Sequence, residues 1–244
     1  MAAIKINNLR KEYEDVVAVN DLNLEIKENE LFSLLGVNGA GKTTTIKMLS
    51  TLVKPTSGDA FIYGNSIISD DKEVKKLIDI SMQETAIARK LTVEENIEFY
   101  AKLSGQTKEE MGKSKRYVYE NFGLDAVAKK QASKLSGGWQ RKLSIALALV
   151  SKPKVLFLDE PTLGLDVIAR RELWNTIRKL KSEMTIILTT HYMEEAEALS
   201  DRIGIMKEGK LLFVGTKEEL FIKTDKNNVE EAFIEIVAGE SVNA

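Results

Sequence analysis

Gly36-Val37-Asn38-Gly39-Ala40-Gly41-Lys42-Thr43 is a complete phosphate-binding pattern, and each residue type in it has a task. The glycines let the backbone curl so that successive N–H groups point inward at phosphate oxygens. Lys42 supplies a mobile cation for the outer phosphates, and the Thr43 hydroxyl is placed to ligate Mg²⁺. The apolar run Leu31–Leu35 precedes the pattern, and Thr44–Leu49 follows it with a helical reading. A helix in that position aims its positive N-terminal dipole at the same anion. The stretch implies binding of a nucleoside triphosphate.

Three other stretches could carry chemistry. Leu156-Phe157-Leu158-Asp159-Glu160 sets one acid at the end of a buried strand and a second directly after it. Asp159 would reach Mg²⁺ directly or through a water, and Glu160 could polarise an attacking water. The plainer reading is a solvated acidic turn before Pro161. Leu135-Ser136-Gly137-Gly138-Trp139-Gln140 puts a serine and two glycines at a helix start, an anion site by backbone geometry or simply a loop with an N-cap serine. His191 is the single histidine of the chain and follows the apolar run Thr185–Thr190. Ligands of parallel sheets bind at the carboxyl edge where such a residue would lie.

The elements that must position these residues are readable in outline. Residues 4–35 read as a small sheet, with Leu22–Ile26 alternating at period two, and Gly58–Gly64 is a second β-like patch. From about 84 to 135 the chain turns charged and helical, with Thr92 as an N-cap ahead of Glu94 and Glu95. Leu143, Ala146, Leu147 and Val150 recur at helical spacing, so a helix starts near Ser136 and ends before Pro153. Val155–Leu158 and Thr185–Thr190 are short apolar runs of the kind found in buried parallel strands, with a helix face at Leu173, Ile177 and Leu180 between them. A hairpin turns at Glu208-Gly209, and the segment from about Thr216 is helix-prone. The alternation predicts an α/β fold with a mostly parallel sheet flanked by helices.

Bulk properties bound the function. Net charge is −2, from 35 basic and 37 acidic residues, which gives no global drive toward nucleic acid or an anionic membrane. No apolar run approaches the roughly 18–20 residues of a membrane span, so no direct span is expected. The start, Met1–Lys5, lacks the features of a signal peptide, and the absence of cysteine excludes disulfides and agrees with a reducing cytosol.

In this order and context the motifs resemble those of the ATP-binding cassette (ABC) ATPases. The sextet from Leu135 to Gln140 resembles that family's signature motif and lies ahead of the acidic strand, as it does there. Tyr13 matches the aromatic that stacks on adenine, and Gln83 the glutamine that senses Mg²⁺ and the γ-phosphate. Leu163-Gly164-Leu165-Asp166 matches the aspartate loop, and His191 the switch histidine. Two departures are Trp139, where many members carry a smaller or less aromatic residue, and Met82, where many have proline before the glutamine.

The resemblance implies a P-loop NTPase core with an N-terminal antiparallel β subdomain and an inserted α-helical subdomain at about 84–135. It makes residues 1–220 a single ABC ATPase domain and 221–244 a short C-terminal tail. It implies ATP and Mg²⁺ as cofactors, with Glu160, His191 and Gln83 in catalysis and Thr43, Gln83 and Asp159 at the metal. Residues Gly36 through Thr43 would hold ATP, with Thr44 assisting at the α-phosphate. Members work as head-to-tail pairs, so Ser136, Gly137, Gly138 and Gln140 would meet the ATP held by a second ATPase subunit, either a copy or a related cassette. Asp166 would help join the two sites. The further partners implied are integral membrane transporter subunits, with the chain cytoplasmic and peripheral on the cytoplasmic face of the cell membrane. Thr190–Glu197 and the short C-terminal segment resemble the exporter branch that handles drugs, antibiotics or surface polysaccharides and includes sodium extruders. A soluble cassette acting in assembly or on nucleic acid is the alternative, but the chain has no long coiled coil, second cassette or basic stripe. A P-loop kinase would leave the sextet and His191 without a task.

Overall fold

The computed structural model describes residues 1–239 of the 244. Two long strands, β1 (Ala2–Tyr13) and β2 (Val16–Lys27), form an antiparallel hairpin with Tyr13 opposite Val16. Their alternation buries Ile4 and Ile6 beside Leu22, Leu24 and Ile26. Next come β3 (Leu31–Leu35), α1 (Lys42–Leu49), β4 (Ser57–Ile62), β5 (Asn65–Ser66), α2 (Asp71–Leu77) and β6 (Ile78–Ser81). The first sheet has the order β2-β1-β4-β5 and is antiparallel throughout.

A helical pair, α3 (Val93–Leu103) and α4 (Lys108–Phe122), precedes α5 (Gly137–Leu149), β7 (Val155–Asp159), α6 (Val167–Leu180), β8 (Thr185–Thr190) and α7 (Met193–Leu199). The chain closes with β9 (Arg202–Lys207), β10 (Lys210–Gly215), α8 (Lys217–Thr224) and α9 (Val229–Gly239). The second sheet runs β10-β9-β3-β8-β7-β6, parallel from β9 to β6 with β10 antiparallel at the edge. The α/β architecture expected from the sequence is therefore present, with its antiparallel N-terminal sheet.

This strand order assembles the site. β3, β8, β7 and β6 are neighbours, so the loops leaving their carboxyl ends converge, and Leu35 lies opposite Thr190 and Asp159 opposite Thr189. β3, β7 and β8 are buried along their whole length. Phe32, Phe157 and Ile187 enter one core with α1 and the first sheet, while Leu31, Leu156, Leu158, Ile186 and Leu188 enter the other with α5 and α6. Each such side chain contributes about 2 kcal/mol by removal from water.

Four details differ from the sequence reading. Leu31–Leu35, read with residues 4–35 as one small sheet, instead belongs to the parallel sheet, because both of its faces are covered. β6 carries Asp79 in its middle and gives no apolar run, so the sequence offered no strand there. Residues 84–91, counted with the helical insert, form a loop, and helix begins at Val93 as the Thr92 N-cap predicts: Thr92 and Glu95 form a reciprocal capping box, and the Asn96 side chain bonds both the N–H and the carbonyl of Ala88, which ties down the preceding loop. Residues 221–239, read as a tail, pack through Val229, Ala232 and Phe233 onto Ile203 and Ile205 of β9; residues 240–244 of that segment lie outside the described residues.

Candidate active site

The loop between β3 and α1 is bent sharply around two close approaches. A Cβ at Gly36 would lie 2.6 Å from the Met206 carbonyl oxygen, and one at Gly41, whose φ is +102°, would lie 2.3 Å from that of Ala18. Only glycine fits either position. Gly41 caps α1 without any side-chain bond to the first-turn N–H groups, which leaves those donors facing a pocket of about 730 Å³. Asn38 through Thr44 line it, with Tyr13, Gln83, Glu160 and His191. Val37 is exposed beside it.

Behind the loop lies a buried polar network. Lys42 Nζ donates to the carbonyls of Gly36 (2.7 Å) and Val37 (3.1 Å) and stands 3.5 Å from Glu160 Oε1. Burial lowers the lysine's pKa, and the Glu160 and Asp159 carboxylates oppose that shift. Thr43 Oγ1 donates to both oxygens of Asp159, at 2.9 and 3.1 Å, and Thr189 Oγ1 donates to Oδ1 at 2.5 Å. Glu160 adopts a left-handed backbone (φ 47°), with its N–H held by the carbonyl and hydroxyl of Thr189. Its Oε2 lies 2.8 Å from His191 Nδ1, so the two stand as a paired base and imidazole at the pocket wall. Strain at a non-glycine residue of this kind is a feature of functional turns.

Sequence reasoning missed Arg141. It is 4 % exposed, and its guanidinium donates to the carbonyls of Met82, Gln83, Asp159 and Pro161, tying the Gln83 loop to the Asp159–Glu160 turn. Burial lowers its pKa to about 10, still charged at neutral pH. The available signal was an arginine in the turn that leads into the apolar run Ile145–Leu149. Thr189 was the other omission, a hydroxyl ending an apolar strand.

The remaining candidates stand apart from this pocket. Ser136, Gly137, Gly138 and Asp166 line a separate surface depression of about 560 Å³. Ser136 is the N-cap of α5, yet its hydroxyl makes no capping bond. Asp166 Oδ1 accepts from the N–H groups of Ile168 and Ala169, at 2.9 Å each, and so caps α6. Gln140 Nε2 turns back to the Leu135 carbonyl at 3.0 Å and lines neither pocket. Within one chain the structure groups Tyr13, Gln83, Glu160 and His191 with the phosphate loop, and leaves Ser136–Gly138 and Asp166 outside it.

Comparison with known proteins identifies the family of the chain. The family described as ABC transporter matches residues 19–163. The human protein named Phospholipid-transporting ATPase ABCA3 is 43 % identical over 227 residues, which cover 91 % of this chain and 13 % of that protein. The chain thus spans about an eighth of that curated relative's length. Among solved structures, CbiO1 from Clostridium perfringens, described as part of the ABC transporter complex cbiONQ, superposes with a TM-score of 0.83 at 28 % identity, covering 91 % of both chains. The cassette MJ0796, solved as a dimer in a post-hydrolysis state with ADP and Pi, gives 0.78 at 28 % identity, covering 87 % of this chain and 98 % of that one.

Proposed function

The chain belongs to the ABC transporter family as an ATP-binding ATPase cassette, and from that premise we propose that it hydrolyses Mg²⁺–ATP at a site completed by a second cassette and so powers export through separate membrane subunits. The observation that carries this reading is the division of its polar machinery. The lysine, Glu160 and the histidine share one pocket, with Asp159 bonded to Thr43 behind it, while the serine–glycine helix start opens on another surface. An isolated cassette therefore holds two unlike halves of a site.

In this reading the N–H groups of residues 38–43 and Lys42 hold the β- and γ-phosphates, Thr44 meets the α-phosphate, and Tyr13, at the pocket mouth, stacks on the base. Thr43 and Asp159 fit Mg²⁺: they are hard oxygen donors already side by side, Asp159 is 1 % exposed, and Gln83 lines the same pocket as Thr43. The metal would be held by Thr43 and Asp159 and would supply positive charge against the phosphates. Among the described residues no cluster of three or more His, Asp or Glu side chains could hold a metal by itself, so phosphate would complete the shell. Glu160 takes up a proton from the attacking water as its partner His191 Nδ1 keeps the carboxylate aimed. Ser136, Gly137 and Gly138 of the second cassette close over the γ-phosphate, and Asp166 lies on the joining face.

Residues 1–220 act as one ATPase domain with the helical insert at 84–135. No helix among the described residues is long and apolar enough to cross a membrane; attachment to the cytoplasmic face runs through partner subunits. The relatives' names support coupling to transport, and the outward direction rests on the exporter-like stretch Thr190–Glu197. Light scattering of Glu160→Gln with and without Mg²⁺–ATP tests the shared site. A shift from monomer to dimer on adding nucleotide is expected; a monomer at saturating ATP counts against pairing between copies.

A further inference from the structure

Glu195 has no part in the scheme above, yet it is fully buried (0 % exposed) directly behind it. It sits in the first turn of α7, three residues after the turn that carries His191. Trp174 of α6 donates its indole N–H to Glu195 Oε1 at 2.9 Å. The hydroxyls of Thr190, next to His191, and of Thr162, in the loop from Glu160 to Asp166, lie against the same carboxyl. Neither Glu195 Oε2 nor Thr162 Oγ1 has a well-aligned hydrogen-bond partner, although both atoms are buried. Unpaired buried polar atoms are costly, and a packing residue of the same size would avoid that cost.

The carboxyl thus touches three segments that matter. Thr190 leads into His191, Thr162 lies between Glu160 and Asp166, and Trp174 belongs to the helix whose N-cap is Asp166 and whose Ile168 and Ala169 line the Ser136 depression. Further ties between α6 and α7, such as Arg178 to the Ala198 carbonyl at 3.0 Å, lie at the exposed end of the pair. Burial also pushes the Glu195 carboxyl above the usual carboxylate range, with neighbouring Glu160 adding to the shift.

We propose that Glu195 is a positioning residue that locks the Glu160–His191 pair to the Asp166-capped helix, so that the hydrolytic pocket and the signature surface of one cassette move as a unit. The inference rests on the ATP-hydrolysis reading. A one-ångström misplacement of a reacting group costs up to about a hundredfold in rate, so loosening this link should act on turnover and leave nucleotide binding alone. Glutamine keeps the carbonyl for Trp174 and offers Thr162 an N–H₂ donor, so it should preserve the link.

The test is steady-state ATPase kinetics on the full chain for wild type, Glu195→Ala, Glu195→Gln, Trp174→Phe and the Glu195→Ala/Trp174→Phe pair, with nucleotide affinity measured by a fluorescent ATP analogue. Expected are a roughly tenfold fall in kcat for Glu195→Ala with KM within about twofold, rescue by Glu195→Gln, and a smaller fall for Trp174→Phe that adds nothing in the double variant. A wild-type kcat in both Glu195→Ala and Trp174→Phe overturns the proposal alone. Equal losses of kcat, nucleotide affinity and Tm in Glu195→Ala without rescue by Gln reduce Glu195 to a folding residue and also overturn it. Absence of turnover in the wild type overturns the ATPase reading beneath it.

Discussion

The phosphate-loop pocket and the Ser136 depression are both built on a glycine-led helix N-terminus, and they are finished to different degrees. In the pocket, Lys42, Thr43, Asp159, Glu160 and His191 all bond to one another or to backbone. At the depression, Ser136 and Gly137 are exposed, the serine hydroxyl makes no capping bond, and a Cβ at Gly137 would meet nothing within 4 Å. The difference has a physical basis. Charged groups withdrawn from water must be paired within the fold, or their desolvation would destabilise it. Backbone donors at an open helix start are satisfied by water and can exchange it for an anion presented from outside. The first region is preorganised for chemistry, and in the proposed reading the second is a half-site.

The largest effect should come from the finished side. Glu160→Gln removes the proton acceptor and keeps the shape, so turnover should fall by roughly 10²–10⁴-fold while nucleotide affinity holds. Single-turnover hydrolysis beside an equilibrium binding measurement separates the two quantities. Hydrolysis at the wild-type rate would mean that the base lies elsewhere. Lys42→Ala strips a charge-assisted phosphate contact worth about 2–3 kcal/mol, so affinity itself should weaken by about 30–150-fold. It also leaves Glu160 without its cationic neighbour. Calorimetric titration with ATP that gave an unchanged Kd would remove Lys42 from the phosphate contacts.

How much of this contrast the sequence announces follows the same division. The phosphate loop, the Asp159–Glu160 pair and His191 were legible because local spacing and a following or preceding apolar strand fix their geometry. The parallel core was legible because strands covered on both faces must be apolar throughout. Arg141 and Glu195 were not, since their meaning comes from partners distant in sequence: the Met82 and Pro161 carbonyls for one, Trp174 and Thr162 for the other. β6 escaped notice because four residues with a central aspartate carry too little periodicity to show a strand. The family resemblance named Asp166 as a joining residue, but its capping of α6 is a separate, local task that Asp166-Val167-Ile168 permitted all along.

Ser136→Ala sharpens the comparison from the open side. An exposed hydroxyl that makes no capping bond can be lost without harm to folding, so thermal stability and ATP binding to dilute monomer should match wild type. Turnover at concentrations that permit pairing should fall by roughly 5–30-fold, the effect of about 1–2 kcal/mol lost from one hydrogen bond to a charged phosphate. Mixing Ser136→Ala with Lys42→Ala should restore part of the activity, because one composite site then has both halves intact. If Ser136→Ala weakened ATP binding to the monomer as strongly as Lys42→Ala does, the two surfaces would be one site.

The smallest effect concerns how the half-site is anchored. α5 is N-capped by Ser136, and just past its far end Ser151 donates to Asp79 Oδ2 at 2.9 Å, on the edge strand β6. Burial pushes the Asp79 carboxyl up to about 6, against the bonds from Ser151 and the Ile80 N–H. A carboxyl whose pKa is higher folded than unfolded binds its proton more tightly in the native state. Its contribution to stability is therefore greatest below about pH 4, declines as pH rises through the window to about 6, and stays lost above it. Asp79→Asn keeps an acceptor for Ile80 N–H without the buried charge, so it should stabilise by about 1 kcal/mol at pH 7.5, raising Tm by roughly 2–4 °C. At pH 5, midway through that window, the gain should fall to about half, and it should shrink toward zero only below about pH 4. Thermal melts of both proteins at the two pH values decide it: an equal gain at both would make the effect one of packing at the α5–β6 contact, and a loss at pH 7.5 would make the ionised aspartate itself the anchor.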